Sequence, residues 1–336
     1  MKKIFAVLIV AFFLFGCIDL GGTPPVDNKT NGGDTPDTPP DDGDDGVVII
    51  KTTNQTSIVN RTREDNKTDT RGYNYDPSQK MAMYFIYVGD DQLHGDAILI
   101  KKGDFDMLVD GGPKENSNRV INFLKSHSVD NLEVMVSTHA DPEHYGGLIE
   151  VAREFEIEEF WYTGSTFEDE TYADFVNSLD GKGVDVTVVE RGDSFSFNGV
   201  TFDILNPKSV RFGNPDNDAI VMKVTNGLDR ILLTSDINSG AQGNLLNEAD
   251  MSTDVLMIPF HGLGNGNFQF SIFLTSINPV DAVISGGTND GPDYGGDRKP
   301  LFRILDLNHV PYKSNFDGGI IRIISDGQSY KITQIE

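Results

Sequence analysis

Cysteine is nearly absent from this chain, since one residue in 336 excludes both a disulfide framework and a cysteine-based zinc site. Basic residues are also scarce: 27 Lys and Arg stand against 52 Asp and Glu, which leaves a formal net charge of −25 at pH 7. Such a chain repels a polyanion at long range, and this excludes a basic nucleic-acid-binding surface of the usual kind. No apolar run reaches the roughly 18–20 residues that a membrane-spanning helix needs.

The start of the chain has the layout of an export signal. Two lysines precede an uninterrupted apolar stretch over 4–15, and a glycine stands directly before the only cysteine, Cys17. This layout resembles the lipobox of prokaryotic lipoproteins. The resemblance implies a signal peptide over 1–16 and lipidation of Cys17, because a diacylglyceryl group provides the two acyl chains that stable anchoring requires. We therefore expect a protein that Cys17 holds in the lipid membrane, at the outer face of the cytoplasmic membrane (cell surface or periplasm). The alternative is an ordinary secretory signal.

Residues 17–77 have the composition of a disordered tether rich in Pro, Asp and Thr. An acidic run over 41–45 and two Pro-Pro pairs mark the segment, which cannot bury enough apolar surface to fold. The apolar stretch Val47–Ile50 interrupts it and is predicted to form a stray strand. All the Asn-x-Ser/Thr sequons of the chain lie in this tether, so it is predicted to be glycosylated, against the alternative of chance sequons. The acceptor residues are Asn28, Asn54, Asn60 and Asn66.

Residues 78–336 read as one folded α/β domain, in which short apolar runs alternate with amphipathic segments. Many of the apolar runs are continuous, which is typical of strands that are buried on both faces and covered by helices. One of the predicted helices spans Leu148–Phe155, directly after a Gly-Gly pair. The pattern therefore predicts buried sheets flanked by helices.

Three of the predicted strands end at groups able to bind a metal ion. One strand ends at the cluster His139–His144, which holds two histidines and two carboxylates, a second ends at Asp236 and a third at His261. Strand ends hold their side chains at one rim of a sheet, where α/β proteins build their sites. Imidazole and carboxylate without thiolate favour zinc or a harder ion such as manganese. The pattern predicts a metal site; the alternative is a polar loop in a generic α/β protein.

The motifs around these strand ends resemble those of the metallo-β-lactamase superfamily. The likeness is greatest to the metallohydrolase domain of the ComEC-type competence proteins and their stand-alone relatives. The matching motifs follow in the family's order, at Gly95–Ala97, Leu108–Gly112, Ser137–Leu148, Thr234–Ile237 and Pro259–Gly262. The resemblance implies a metallo-β-lactamase fold, a four-layer αββα sandwich with its site at the sheet edges.

The resemblance also implies two adjacent metal positions, filled by one or two divalent metal ions, zinc or manganese. The implied ligands are His139 and Asp141 for the first position, Glu143, His144 and His261 for the second, and Asp236 as the bridge. The chain departs from the family pattern, because Glu143 stands in place of the signature aspartate and Phe260 in place of a further histidine. No histidine lies between His144 and His261, so the first position lacks the superfamily's third histidine.

The implied function is that of a cell-surface, metal-dependent hydrolase acting on a phosphodiester, either DNA or a smaller phosphoester. A bound ion lowers the pKa of its water from about 15.7 toward 7. Glu143 and Asp236 would then hold the resulting hydroxide, and Asp110 would complete the catalytic set by orienting the ligand loop. His94 or Tyr145 would stabilise charge on the substrate oxygen. The alternative, favoured by the missing histidines, is a degenerate, non-catalytic surface binding module. The sequence indicates no protein partner.

Overall fold

A computed structural model describes the backbone of three short strands before residue 78 and the residues 78–89, 93–264, 268–287, 298–316 and 318–335. The predicted signal peptide over 1–16, the lipidation residue Cys17 and the sequons Asn28, Asn54 and Asn66 lie outside the described residues. None of the helices in the described part of the chain is long and apolar enough to cross a lipid bilayer.

The three strands before residue 78 are β1 (Val47–Thr52), β2 (Gln55–Asn60) and β3 (Lys67–Thr68). β1 and β2 pair antiparallel as a two-stranded sheet, so the strand predicted over Val47–Ile50 pairs with its neighbour in sequence. The tether predicted over 17–77 stays a prediction.

The strands and helices of the folded domain have the following bounds. The first group of strands is β4 (Met81–Phe85), β5 (Ile98–Lys102), β6 (Phe105–Val109), β7 (Asn131–Val136), β8 (Glu156–Tyr162) and β9 (Asp185–Val188). The second group is β10 (Ser194–Phe197), β11 (Val200–Asn206), β12 (Val221–Asn226), β13 (Asp229–Leu233), β14 (Val255–Met257), β15 (Asp281–Ile284) and β16 (Tyr312–Ser314). Two last strands follow, β17 (Ile320–Ser325) and β18 (Tyr330–Ile335). The helices are α1 (Ser117–Ser126), α2 (Pro142–Glu154), α3 (Glu170–Gly181), α4 (Ser239–Glu248), α5 (Phe268–Ile277) and α6 (Lys299–Leu307).

Two eight-stranded sheets form the centre of the domain. The strand order is β18-β17-β4-β5-β6-β7-β8-β9 in the first sheet and β16-β15-β14-β13-β12-β11-β10-β3 in the second. β6 to β9 run parallel to one another in the first sheet, and β13 to β16 do so in the second. The carboxyl ends of neighbouring parallel strands therefore meet at one edge of each sheet.

The sheets face each other across an apolar core, and helices cover their outer faces. Apolar residues of both sheets form the central core. A second apolar cluster joins α1, α2 and α3 to the outer face of the first sheet, and a third joins α4, α5 and α6 to the second. Each sheet thus buries both faces, which explains the continuous apolar runs of its strands. The predicted four-layer αββα sandwich is confirmed.

Aromatic side chains form the contact between the sheets near the end of β8. Trp161 on β8 is fully buried, and its ring centroid lies 4.2 Å from that of Phe195 on β10. Phe105 on β6 stacks on Phe197 of β10 with ring centroids 5.0 Å apart. Full burial of an apolar side chain contributes about 1.5–3 kcal/mol, so these contacts help to hold the two sheets together.

Candidate metal centre

The cluster His139–His144 spans the end of β7 and the start of α2. The helix begins at Pro142, because the missing N–H of proline has no partner at the first helical position anyway. Asp141 caps the helix, and its Oδ1 accepts a hydrogen bond from the backbone N–H of Glu143 at 2.7 Å. α2 therefore starts earlier than the predicted Leu148, and its first turn carries Glu143 and His144 towards the sheet edge.

Glycines allow α2 to approach the loop that follows β6. A Cβ atom on Gly147 would collide with the backbone carbonyl of Gly111, and a Cβ on Gly111 would lie 2.8 Å from the carbonyl carbon of Gly147. The backbone N–H of Gly147 donates to the carbonyl of Gly112 at 2.8 Å. This close packing of two backbones brings Asp110, on the loop, into contact with His144, on the helix.

Four buried side chains from four segments bring their metal-binding atoms together. Asp96 precedes β5, His144 lies on α2, Asp236 follows β13 and His261 follows β14, and one ligand atom of each lies within 4.8 Å of the others. Oδ2 of Asp236 lies 3.3 Å from Nε2 of both histidines. Oδ1 of Asp96 lies 3.8 Å from Nδ1 of His261. Asp96 and His144 lie on the side of the first sheet, and Asp236 and His261 follow strands of the second, so this four-residue cluster joins the edges of the sandwich.

Several buried atoms of this region lack a hydrogen-bond partner within the described part of the chain. They include both carboxylate oxygens of Asp96, Oδ1 of Asp236, and Nε2 of both His139 and His144. An orphaned buried polar group costs about 1–3 kcal/mol, and buried polar groups are almost always paired. A divalent cation would satisfy these atoms together, since imidazole and carboxylate are its ordinary ligands. The residues present therefore fit a divalent metal ion.

Hydrogen bonds to Nδ1 orient the two histidines of the cluster. Nδ1 of His144 lies 2.9 Å from Oδ2 of Asp110, and Nδ1 of His261 lies 3.1 Å from the backbone carbonyl of Ser285. Both partners are pure acceptors, so each Nδ1 carries a proton and each Nε2 is the atom left to bind a metal ion. Metal-binding histidines are commonly held in this way by a carboxylate or carbonyl behind them.

Asp110 also fixes the loop that carries His139. Its Oδ1 accepts a hydrogen bond from the backbone N–H of Thr138 at 2.8 Å, and its Oδ2 accepts one from the Thr138 hydroxyl at 2.7 Å. The same hydroxyl lies 2.8 Å from Oγ of Ser235, which adjoins Asp236. One buried carboxylate therefore connects the ligand segments of both sheets.

Burial and nearby charge act on the ionisation of these residues in opposite directions. Burial opposes ionisation of Asp236, yet the positive charge of His261 and His144 holds its pKa well below the ordinary value. Burial raises the pKa of Asp96, and these histidines only partly offset the effect. Burial also lowers the pKa of His139 to about 4. For His261, the carboxylates of Asp236 and Asp96 outweigh burial and raise the pKa to about 9. Asp236 is therefore ionised, and His139 is in the neutral form that binds metals.

Three of the predicted ligands lie beside the four-residue cluster. The ring centroid of His139, which is fully buried, lies 4.3 Å from that of His144. Asp141 caps α2, as described above. Glu143 is half-buried, and its Oε2 accepts a hydrogen bond from the backbone N–H of His94 at 3.0 Å. The structure thus places all six predicted ligands around one edge of the sandwich, and their roles in metal binding stay predictions.

Asp96 is the member of the cluster to which the sequence analysis assigned no role. The other cluster residues follow their strands or open a helix, whereas Asp96 precedes β5. β5 runs antiparallel to β6, so its first residue, Ile98, pairs with Val109 at the end of β6. The start of β5 therefore lies at the edge where the neighbouring strands end. An acidic residue directly before a continuous apolar strand was the available signal.

Two side chains proposed to stabilise substrate charge occupy different positions. The hydroxyl of Tyr145 donates a hydrogen bond to Oδ2 of Asp169 at 2.7 Å, so its proton is directed away from the four-residue cluster. His94 is buried, and its ring stacks on that of His261 with centroids 5.5 Å apart. Nδ1 of His94 accepts a hydrogen bond from the backbone N–H of Gly287 at 3.0 Å, so the neutral ring carries its proton on Nε2.

Residues 90–245 match the family model of the metallo-beta-lactamase superfamily, and the chain therefore contains a domain of that superfamily. The predicted family is confirmed. Among curated proteins, the chain is similar to ComE operon protein 3 of Bacillus subtilis (strain 168), with 22% identity over 172 residues. That match covers 51% of this chain and 22% of the relative, so it spans about a fifth of the relative's length.

Solved structures of similar fold include the metallo hydrolase Igni18 of the archaeon Ignicoccus hospitalis, with 15% identity and a TM-score of 0.48. That likeness covers 72% of this chain and 98% of Igni18. The metallo-beta-lactamase fold protein YhfI of Bacillus subtilis has 12% identity and a TM-score of 0.47, over 72% of this chain and 99% of YhfI.

Proposed function

We propose that this protein is a metal-dependent hydrolase of phosphodiesters that a lipid on Cys17 holds at the outer face of the cytoplasmic membrane. The observation that carries the catalytic part is the four-residue cluster, in which buried imidazole and carboxylate atoms lack hydrogen-bond partners in the described part of the chain. The superfamily domain supports the same assignment.

The chain's own residues supply the rest of the chemistry. A divalent ion bound at the cluster would provide a water acidic enough to react at neutral pH and a positive charge for the substrate oxygen. The ionised carboxylate of Asp236 can accept a hydrogen bond from the attacking water and hold it in line. Asp110 keeps His144 in the tautomer that presents Nε2. The ring of His94 stacks on that of His261, and its proton-bearing Nε2 can donate to a substrate oxygen.

The substrate is proposed to be a phosphodiester because the donor set suits oxygen-bound divalent ions that clamp phosphate groups. The resemblance of the motifs to those of the ComEC-type competence proteins supports a nucleic acid. The net charge of −25 opposes a long polyanion unless bound cations reverse the local field. A smaller phosphoester therefore stands beside DNA as the substrate.

Hydrolysis assays with the purified full chain test this proposal. We expect turnover of bis(4-nitrophenyl) phosphate, of single-stranded DNA or of both in the presence of Zn²⁺ or Mn²⁺, and no turnover in EDTA. Turnover of the small ester alone would assign the smaller substrate. Tight metal binding without turnover of either substrate would refute hydrolysis and favour the non-catalytic binding module.

The anchor is tested separately by the substitution Cys17→Ser in the producing cell. Removal of the thiol removes the atom that accepts the diacylglyceryl group, so we expect the protein to move from the membrane fraction to the soluble exported fraction. An unchanged membrane fraction would refute the lipid anchor without bearing on hydrolysis.

A further inference from the structure

We infer that Asp96 supplies the carboxylate ligand at the metal position of His144 and His261, where the family resemblance assigns that role to Glu143. We further infer that Glu143 is a positioning residue, which acts on the metal through the segment that carries Asp96. The inference concerns metal binding and does not depend on which substrate is hydrolysed.

The carboxylate of Asp96 is placed as a ligand would be. It is 1% exposed, and neither of its oxygens has a hydrogen-bond partner among the described residues. A buried carboxylate without partners is costly in either protonation state: the ion lacks compensation, and the neutral acid has no acceptor for its proton. Its neighbours within 4.8 Å are the ligand atoms of His144, Asp236 and His261. A cation between these four groups resolves the cost.

The backbone holds Asp96 rigidly in this position. The carbonyl of Asp96 accepts a hydrogen bond from the N–H of Gly112 at 2.8 Å, and the carbonyl of Ala97 accepts one from Ile86 at 2.9 Å. Gly95 has a φ of +130°, and a Cβ there would collide with the carbonyl of Glu143. The segment therefore lies directly against the first turn of α2. A short side chain on such a fixed backbone is pre-organised for metal binding.

Glu143 is placed differently, although it stands at the family's ligand position. Its carboxylate lies outside the four-residue cluster and accepts the backbone N–H of His94 at 3.0 Å. The extra methylene of glutamate allows this reach, which spans 49 positions in the sequence. The bond fastens α2 to the segment over 94–96. The carboxylate of Glu143 therefore lies away from the metal position, and the carboxylate of Asp96 takes its place there.

Metal affinity of matched isosteric variants tests the exchange. The full chain is stripped with chelator and titrated with Zn²⁺ and Mn²⁺ for the wild type, Asp96→Asn, Glu143→Gln and the control Asp104→Asn in the exposed turn after β5. We expect Asp96→Asn to weaken binding by more than 100-fold, beyond the roughly 10–100-fold of an outer residue. Glu143→Gln should weaken it by less than 10-fold, because its amide oxygen still accepts from His94.

A cobalt spectrum provides a second test, which does not depend on whether a variant loses affinity because it is less well folded. Asp96→Cys loaded with Co²⁺ should show thiolate-to-cobalt charge-transfer absorption, whereas Glu143→Cys and the wild type, with Cys17 alone, should not. A band in Glu143→Cys, equal affinity losses in both isosteric variants, or a larger loss in Glu143→Gln would overturn the inference. Absence of metal binding by the wild type would overturn it too. Metal binding without hydrolysis would leave it standing and refute only the proposed function.

Discussion

Asp110→Asn changes one atom behind the metal cluster and should weaken metal binding through the tautomer of His144. The carboxylate accepts hydrogen bonds from the backbone N–H and the hydroxyl of Thr138 and from Nδ1 of His144. An amide has one acceptor oxygen. If that oxygen keeps the backbone N–H of Thr138, the amide N–H₂ faces His144. Nδ1 can then accept only after its proton has moved to Nε2, and the lone pair offered to the metal is lost.

The size of the effect follows from the bonds involved. A hydrogen bond to a charged group contributes about 1.5–3 kcal/mol, and loss of a residue behind a metal ligand weakens metal affinity about 10–100-fold. In free energy of binding this range is about 1.4–2.7 kcal/mol. We therefore expect metal affinity to fall by that factor, and the free energy of unfolding of the metal-free protein to fall by up to about 3 kcal/mol.

Competition against a chromophoric chelator measures the metal affinity, and urea unfolding followed by circular dichroism measures the stability. Asp104→Asn removes an exposed carboxylate near the same strands and should match the wild type in both assays. A folded Asp110→Asn protein that binds zinc as tightly as the wild type would refute the tautomer argument.

His261→Ala should abolish activity and sharply lower metal content, whereas Asp141→Ala should do less damage, because Asp141 caps α2 outside the cluster. Greater damage from Asp141→Ala, in turnover and metal analysis, would mean that the other metal position is the occupied one. Burial raises the pKa of Glu133 to about 7. The folded state then binds this proton more tightly than the unfolded state does, so stability should fall as the pH rises from about 4.5 through about 7. Glu133→Gln should remove that part of the fall, which urea unfolding of the variant and the wild type at pH 5 and pH 8 measures. An equal difference between the two proteins at both pH values would contradict this. Gly147→Ala should lower the free energy of unfolding by at least the roughly 1–3 kcal/mol that overpacking usually costs. The reason is that the new Cβ at this position would meet the backbone of Gly111, which cannot move aside as a side chain can. Near-native thermal stability of this variant would refute the close packing.

Strands that are buried on both faces could be predicted from sequence because their apolar runs are continuous, as in β4 and β14. β10 could not, since Ser194–Phe197 alternates serine and phenylalanine over only four residues and gains its burial from Trp161 on the opposite sheet. The three-residue strand β16 has no buried residue and is defined by its pairing with β15. The start of α2 was missed because Pro142 opens this helix under the Asp141 cap.

The candidate site divides in the same way. Motif order predicted that His144, Asp236 and His261 would converge, because each follows a strand or lies at a helix start on the same edge. The position of Asp96 depends on the antiparallel pairing of β5 with β6. The orientation of the Glu143 side chain depends on its hydrogen bond with the backbone N–H of His94. Both are contacts between segments distant in sequence, which local patterns do not encode.

Trp161, described above as part of the contact between the sheets, is the only tryptophan in the chain. Its indole is fully buried between the two sheets, and its backbone carbonyl accepts a hydrogen bond at 2.9 Å from Ser137, at the start of the loop that carries His139. Intrinsic fluorescence excited at the indole therefore comes from one known position. A shift of that emission reports the parting of the two sheets, with no contribution from a second fluorophore of this kind, and energy transfer from Trp161 measures distances from a single fixed origin beside the site.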